Sequence, residues 1–132
     1  MTGESGPMSR KVEADVVVET AARQMRRLLQ EAVALVDPFP PFPGSFFTLA
    51  IEVEGGASED PERGCVVLGP DGELYELEIS IDFTRGNIDP VAARDERLKP
   101  VELHPRDYIV YAYNALTRVT ELLMEQQAEK PI

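Results

Sequence analysis

Cysteine, long apolar runs and positive charge are all scarce in this sequence of 132 residues. Cys65 is the single cysteine, so no disulfide can form within the chain. The first residues, Met1 to Gly6, lack the charged-then-apolar layout of a secretory signal, and we therefore expect a cytoplasmic protein. No apolar run approaches the roughly 20 residues that cross a bilayer, so we expect no association with a membrane.

The shortage of positive charge is concentrated in one region. The chain carries 24 acidic and 13 basic side chains, a formal net charge of -11. Residues 46–83 hold ten of the acidic side chains and one basic side chain, Arg63, whereas residues 84–106 are close to neutral. Phosphate contacts dominate the affinity of proteins for nucleic acids, so an acidic surface argues against DNA or RNA as a partner. The acidity also favours solubility.

The length and composition fit one globular domain. Hydrophobic residues make up 43% of the chain and charged residues 28%, which is too apolar for a disordered tail. A chain of this length buries roughly two thirds of its unfolded surface on folding. We expect a disordered N-terminus over residues 1–9, a single domain over residues 10–128 and a C-terminal tail over residues 129–132.

Two stretches carry apolar residues at steps of three and four, the spacing of an amphipathic helix. In the first, the apolar positions are Val18, Ala22, Met25, Leu29, Ala32 and Val36. In the second, which opens at Pro105, they are Ile109, Ala112, Leu116, Val119 and Leu123. Residues 10–19 also fit a strand, because valine and alanine alternate with acidic residues there. We favour one long helix from about Ser9 over this extra N-terminal strand.

Three strands are predicted between the helices from apolar alternation and turn signals. The first directs Phe47, Leu49, Ile51 and Val53 toward the core, and the third directs Tyr75, Leu77, Ile79, Ile81 and Phe83 there. The second, Cys65 to Leu68, leads into Gly69-Pro70-Asp71-Gly72, which suits a tight reverse turn. The expected fold is therefore α+β: a three-stranded antiparallel meander flanked by N- and C-terminal amphipathic helices, in a two-layer α-β-β-β-α arrangement.

The middle strand, Cys65 to Leu68, is apolar on both faces, which is the pattern of a strand covered on both sides. The two helices are expected to cover one face of the sheet. A second copy of the chain is the simplest cover for the other face, which predicts a homodimer. The alternative cover is the proline-rich segment 38–44, which must be extended because proline fixes φ.

The connection between the last strand and the last helix, residues 84–104, is longer than a plain loop in a compact domain should be. Asp89 followed by Pro90 favours a short helix within it. If the connection folds back, its two ends meet at one end of the sheet and offer an acid together with donors for an anionic ligand. The residues of this candidate ligand site are Asp82, Arg85, His104 and Arg106.

The sequence predicts no catalytic residue, no cofactor and no metal site. Cys65 lies in an apolar strand, where a thiol behaves as a small hydrophobe. No serine stands in a nucleophile-elbow pattern, and no glycine-lysine pair marks a phosphate-binding loop. Residues 82–93 hold several oxygen ligands but depart from the calcium-loop pattern, because the glycine is fifth and the twelfth residue is Ala93.

These observations favour a non-enzymatic, homodimeric protein-interaction module that offers an acidic sheet surface to a basic or cationic partner. The acidic residues expected on that surface are Glu52, Glu54, Glu76 and Glu78. Two alternatives stay open. One is a small-ligand-binding protein or enzyme that uses the candidate ligand site, and the other is a chaperone or antidote dedicated to one particular protein.

Overall fold

The computed structural model describes residues 7–81 and 94–129, and within these residues it contains two long helices and a four-stranded antiparallel sheet. In chain order the long helices and strands are α1 (Pro7–Val33), β1 (Ile51–Glu52), β2 (Cys65–Leu68), β3 (Leu74–Ile81), β4 (Arg94–Pro100) and α2 (Pro105–Glu129), and a 3₁₀ helix at Gly56–Ser58 lies between β1 and β2. The strands lie in the order β1-β2-β3-β4. The predicted α+β fold with flanking helices is confirmed.

The structure decides between the two interpretations of residues 10–19 and adds one strand. Residues 10–19 belong to α1, so the long helix is confirmed and the alternative N-terminal strand is wrong. The additional strand is β4, inside the connection where a short helix was expected. The proposed cap of that short helix, Asp89 and Pro90, lies outside the described residues. β4 pairs with β3 over its whole length, from Tyr75 opposite Pro100 to Ile81 opposite Arg94.

Both helices cover the same face of the sheet. The spacing of three and four brings fully buried Leu29 of α1 and Val119 of α2 into one core with Leu68 and Leu74 of the sheet. The helices run parallel, because the Gln126 side chain near the end of α2 bonds the backbone that follows α1. This packing leaves the first turns of α1 beyond the core.

The opposite face of the sheet is covered in its middle by the proline-rich segment. Residues 40–50 form a hairpin, which we call the proline hairpin, in which Phe42 N–H donates to Thr48 O at 2.9 Å and Ala50 N–H donates to Pro40 O at 3.1 Å. Its Phe42 packs on a second small core of Ala50, Val67 and Leu77. Val67 therefore has a cover from the same chain, as the alternative interpretation of the doubly apolar strand predicted.

The predicted orientation of the first strand is wrong over its first half. Phe47 and Leu49 were expected inside but are 64% and 46% exposed, whereas Thr48 is 8% exposed and buried. The cause is the proline hairpin, which folds this segment back so that its regular strand is only Ile51–Glu52. Ile51, as predicted, is buried against the helices.

The apolar alternation of β3 does not point toward the helices. Directly paired residues share a face, so Tyr75 and Leu77 lie with Val67 and Cys65 on the side of the proline hairpin. Ile79 and Ile81 lie on this side too, past the cover, and are partly exposed. Phe83 lies outside the described residues. The sheet is thus packed on both faces at β2 and open to solvent at the far end of β3.

Candidate functional site

The lone histidine of the chain, His104, caps helix α2. Its Nδ1 accepts a hydrogen bond from Arg106 N–H at 3.1 Å, and its carbonyl oxygen accepts one from Tyr108 N–H at 2.9 Å. Pro105, at the first helical position, has no N–H to satisfy. Both His104 and Arg106 are exposed. Asp82 and Arg85 lie outside the described residues, so the convergence of these four residues stays a prediction.

The capping geometry predicts how substitutions at His104 change stability. His104→Ala removes the acceptor for Arg106 N–H and is expected to lower the free energy of unfolding by about 1 kcal/mol. His104→Asp keeps an acceptor and adds a negative charge at a helix N-terminus, so the stability should be retained. Urea unfolding of the two variants at neutral pH provides the measurement. Equal losses of unfolding free energy in the two variants would show that an acceptor at position 104 does not stabilise the helix.

A cavity of about 430 Å³ lies beside this end of α2, between α1 and the segment that joins β4 to α2. Leu103 and Pro105 line it, but His104 between them does not. One wall is the ion pair from Arg26 to Glu73 at 2.6 Å, which joins α1 to the residue just before β3. The Tyr108 hydroxyl is buried and has no hydrogen-bond partner among the described residues, and burial raises the pKa of Tyr108 to about 12. The cavity is therefore lined by a tyrosine whose neutral hydroxyl is buried and by a guanidinium that is already paired.

The four glutamates predicted to bind a partner lie on two different faces of the sheet. Glu52 pairs with Val67 on the side of the proline hairpin. Glu76 pairs with Val66 on the helix side, and Glu78 follows it two residues later. The Glu76 carboxylate accepts a hydrogen bond from Gly64 N–H, and the Glu78 carboxylate forms an ion pair with Lys99 Nζ at 2.9 Å. Glu52 and Glu54 form no ion pair with any residue in the described ranges, and both are exposed.

Glu52 and Glu54 belong to a larger set of acidic residues around the outer side of β1. Two adjoining grooves of about 660 and 540 Å³ share these two residues in their linings. The acidic residues that line either groove, which we call the acidic edge, are Glu52, Glu54, Glu59, Asp60 and Glu121. Two basic residues, Arg63 and Arg118, also line these grooves. Arg63 lies over the Tyr111 ring at 5.9 Å, and Arg118 pairs with Glu121 at 3.2 Å. Within the described ranges, the carboxylates of Glu52 and Glu54 are therefore left without a compensating charge.

Glu96 of β4 is the centre of a buried ionic clamp that the sequence did not predict. Its carboxylate accepts bonds from Phe46 N–H at 2.7 Å, Phe47 N–H at 3.0 Å, Thr48 Oγ1 at 2.7 Å and Arg94 Nε at 2.8 Å. Arg94 also bonds the Gly44 carbonyl and lies over the Phe46 ring. The Glu96 side chain is 2% exposed. This clamp fixes the tip of the proline hairpin on β4.

The charged state of Glu96 depends on these bonds. Burial alone would raise the pKa of Glu96, but the hydrogen bonds from Phe46, Thr48, Phe47 and Arg94 outweigh it and lower the pKa to about 2. The Glu96 carboxylate is therefore ionised at neutral and mildly acidic pH. One signal of it was present in the sequence, because Arg94 and Glu96 are two residues apart and share a face if the segment is a strand.

The first turns of α1 are an exposed apolar feature outside the core. Residues 9–17, which we call the α1 arm, are all exposed. Within the arm Val12 is 60% exposed, Val16 55% and Val17 66%. Neither the sheet nor α2 reaches these valines, because the core contacts of α1 begin at Met25.

Two further observations concern the chemistry that the described chain can carry. Burial, followed by the nearby Glu52 carboxylate, raises the pKa of the Cys65 thiol, so the thiol stays protonated at neutral pH. Over residues 7–81 and 94–129, no group of three or more histidine, cysteine or acidic residues is placed to hold a metal ion.

In the same ranges, neither long helix is apolar enough over its length to cross a membrane. Comparison with models of protein families, with curated protein sequences and with solved structures gives no match to this chain.

Proposed function

We propose that the protein is a non-enzymatic, homodimeric protein-interaction module that binds a basic partner at its acidic edge. The α1 arm carries this proposal, because it presents three valines to solvent and neither the sheet nor α2, as described over residues 7–81 and 94–129, covers them. The uncompensated carboxylates of Glu52 and Glu54 support the choice of a basic partner. A lone cysteine suits the cytoplasm, where thiols stay reduced, and we place the protein there.

The α1 arm has little to stabilise it as a helix. It continues a helix that is packed further along and so needs no nucleus of its own, but most helical stability in proteins comes from tertiary packing, and the arm has none against the sheet or α2. Valine lowers intrinsic helix propensity further, because its branched side chain loses rotamer freedom. Packing of the valines against another protein surface would stabilise the arm, and this supports an interface at Val12, Val16 and Val17.

The charges of the arm favour a second copy of the same chain as the cover. Arg10 and Lys11 stand at its start, Glu13 and Asp15 follow within it, and Glu19 comes two residues after its end. Two arms packed antiparallel bring the basic start of each opposite the acidic stretch of the other, while two parallel arms set like charges side by side. An antiparallel pair also satisfies the two-fold symmetry usual in homodimers.

The homodimer predicts a mass near twice 14.6 kDa in solution. A triple variant, Val12→Gln, Val16→Gln and Val17→Gln, keeps good helix propensity and the net charge but removes the apolar surface, so it is expected to be a monomer. Size-exclusion chromatography with light scattering at about 0.1 M and about 1 M salt measures both proteins. The apolar interface should hold at either salt concentration.

The matched control is Met124→Gln, which changes another exposed apolar side chain, at 67% exposure, on the outer side of α2. This variant should remain a dimer. A monomeric wild-type protein at both salt concentrations, or a triple variant that still has the dimer mass, would contradict an interface at the α1 arm.

A further inference from the structure

We propose that the basic partner enters as an extended segment that adds as a further strand to the free edge of β1 at Glu52. This inference rests on the proposed function, since it assigns a binding mode to the partner that the acidic edge attracts. Strand addition supplies main-chain hydrogen bonds for affinity and alternate side-chain contacts for specificity.

The hydrogen bonds around β1 show which of its backbone groups face outward. Val53 N–H donates to Val66 O at 2.9 Å, so the odd-numbered residues here point their backbone groups toward β2. Ala50 N–H donates to Pro40 O on the other side. By alternation, the N–H and C=O of Glu52 point outward as well. In the described part of the chain, neither group has a hydrogen-bond partner.

The proline hairpin cannot extend its ladder to cover these two groups. Its pairing runs from Phe42 opposite Thr48 to Pro40 opposite Ala50, so the next position opposite Glu52 is that of Pro38. Pro38 has no N–H to donate to Glu52 C=O, and its own carbonyl oxygen already accepts a bond from Gln126 Nε2 at 2.9 Å. The edge is therefore left open at the point where the prolines stop the hairpin.

The open edge has defined ends and room for a strand. On one side it ends at the Ala50 bond to Pro40, and on the other the Asn114 side chain of α2 donates to Glu54 O at 2.7 Å. The four residue steps between Ala50 and Glu54 span about 13 Å, enough for three or four residues of an added strand. The groove of about 660 Å³ lies along this edge, between the prolines and α2.

The acidic edge sets the side chains that such a segment should carry. A residue paired directly with Glu52 directs its side chain to the same face as the Glu52 carboxylate. The residue two positions away then lies beside Glu54, because side chains alternate along a strand. Lysine or arginine at alternate positions would meet both carboxylates, so the favoured segment reads basic-x-basic.

The probe for this inference is a fluorescent peptide of seven residues, acetyl-Lys-Val-Lys-Val-Lys-Val-Lys-amide, titrated with the wild-type protein and followed by fluorescence anisotropy. Two derivatives are methylated on backbone nitrogen, one at the lysines and one at the valines. Only one alternate set of amides faces β1 in an added strand, so one derivative should bind at least about ten-fold more weakly and the other within about two-fold of the parent.

The charge dependence is tested on the protein side with a matched control. The Glu52→Gln, Glu54→Gln double variant should bind the parent peptide several-fold more weakly, whereas Glu76→Gln, Glu78→Gln on the helix side should bind it as the wild type does. Equal binding of both methylated derivatives, with the charge dependence retained, would overturn strand addition and leave the proposed basic partner standing. If the Glu52→Gln, Glu54→Gln variant bound the parent peptide as tightly as the wild type does, both strand addition at this edge and the proposed basic partner would be overturned.

Discussion

Glu96→Ala is expected to lower the free energy of unfolding by about 3 kcal/mol, because it breaks a buried ion pair and leaves its partners without an acceptor. The variant leaves the Arg94 guanidinium, whose side chain is only 15% exposed, beside an empty site. It also removes the acceptor for the amides of Phe46 and Phe47 and for the Thr48 hydroxyl. The tip of the proline hairpin should then detach from β4.

Urea unfolding at neutral pH measures this loss, with Glu78→Ala as the matched control. Glu78 also pairs with a cation on the neighbouring strand, Lys99, but both side chains are about half exposed. Exposed pairs contribute at most about 1 kcal/mol, so Glu78→Ala should change little. Equal losses of unfolding free energy in Glu96→Ala and Glu78→Ala would show that the burial of Glu96 does not add to the stability of the protein.

The same clamp predicts a pH dependence whose direction follows from the pKa of Glu96. That pKa is lowered in the folded protein from its ordinary value of 4.5 to about 2. The stabilisation is therefore complete above about pH 4.5 and is lost as the pH falls toward 2. The difference in unfolding free energy between the wild type and Glu96→Ala should be largest at neutral pH and should narrow below pH 4.5.

Gly72→Ala is expected to destabilise the protein by about 3 kcal/mol, through two separate effects. Gly72 has φ +81°, a conformation that costs an alanine about 1 kcal/mol. A Cβ atom there would also lie 2.7 Å from the Gln30 Cα of α1, which belongs to a helix backbone and cannot easily shift. The hairpin turn and the helix would have to move apart.

Gly44→Ala separates these two effects. Gly44 has φ +85°, but a Cβ atom there meets no atom of the described residues within 4 Å. This control should therefore lose only the backbone contribution of about 1 kcal/mol. Urea unfolding of both variants gives the comparison, and equal losses would show that the turn at Gly72 does not press on α1.

The parts of the fold that could be predicted from the sequence depend on local patterns. Helix α2 follows from the spacing of Ala112 and Val119 with their neighbours, since a buried stripe must recur every three or four residues. The turn at Gly69–Gly72 follows from its proline and glycines, and the structure joins β2 to β3 through it, with Leu68 paired to Leu74. Neither prediction needed knowledge of distant contacts.

The parts that could not be predicted depend on contacts between distant residues. β4 has no apolar alternation, and it forms a strand because it pairs with the backbone groups along the edge of β3. Phe47 is exposed because Glu96, far along the chain, holds its amide. The candidate acidic surface also depended on pairing, because the register of the strands puts Glu52 on one face and Glu76 on the other. Alternation within one strand cannot show which face is which.

The charged composition of β4 has a consequence for how the protein behaves at high concentration. Five of its seven residues, all except Leu98 and Pro100, carry a charge. A strand from another molecule that paired with this edge would have to strip water from the exposed charges of Asp95, Arg97 and Lys99, so β4 is a poor template for fibril growth. The two ends of the sheet are thus protected differently, by charge at β4 and by proline at β1. The chain can keep an open edge at Glu52 without inviting uncontrolled aggregation along the rest of the sheet.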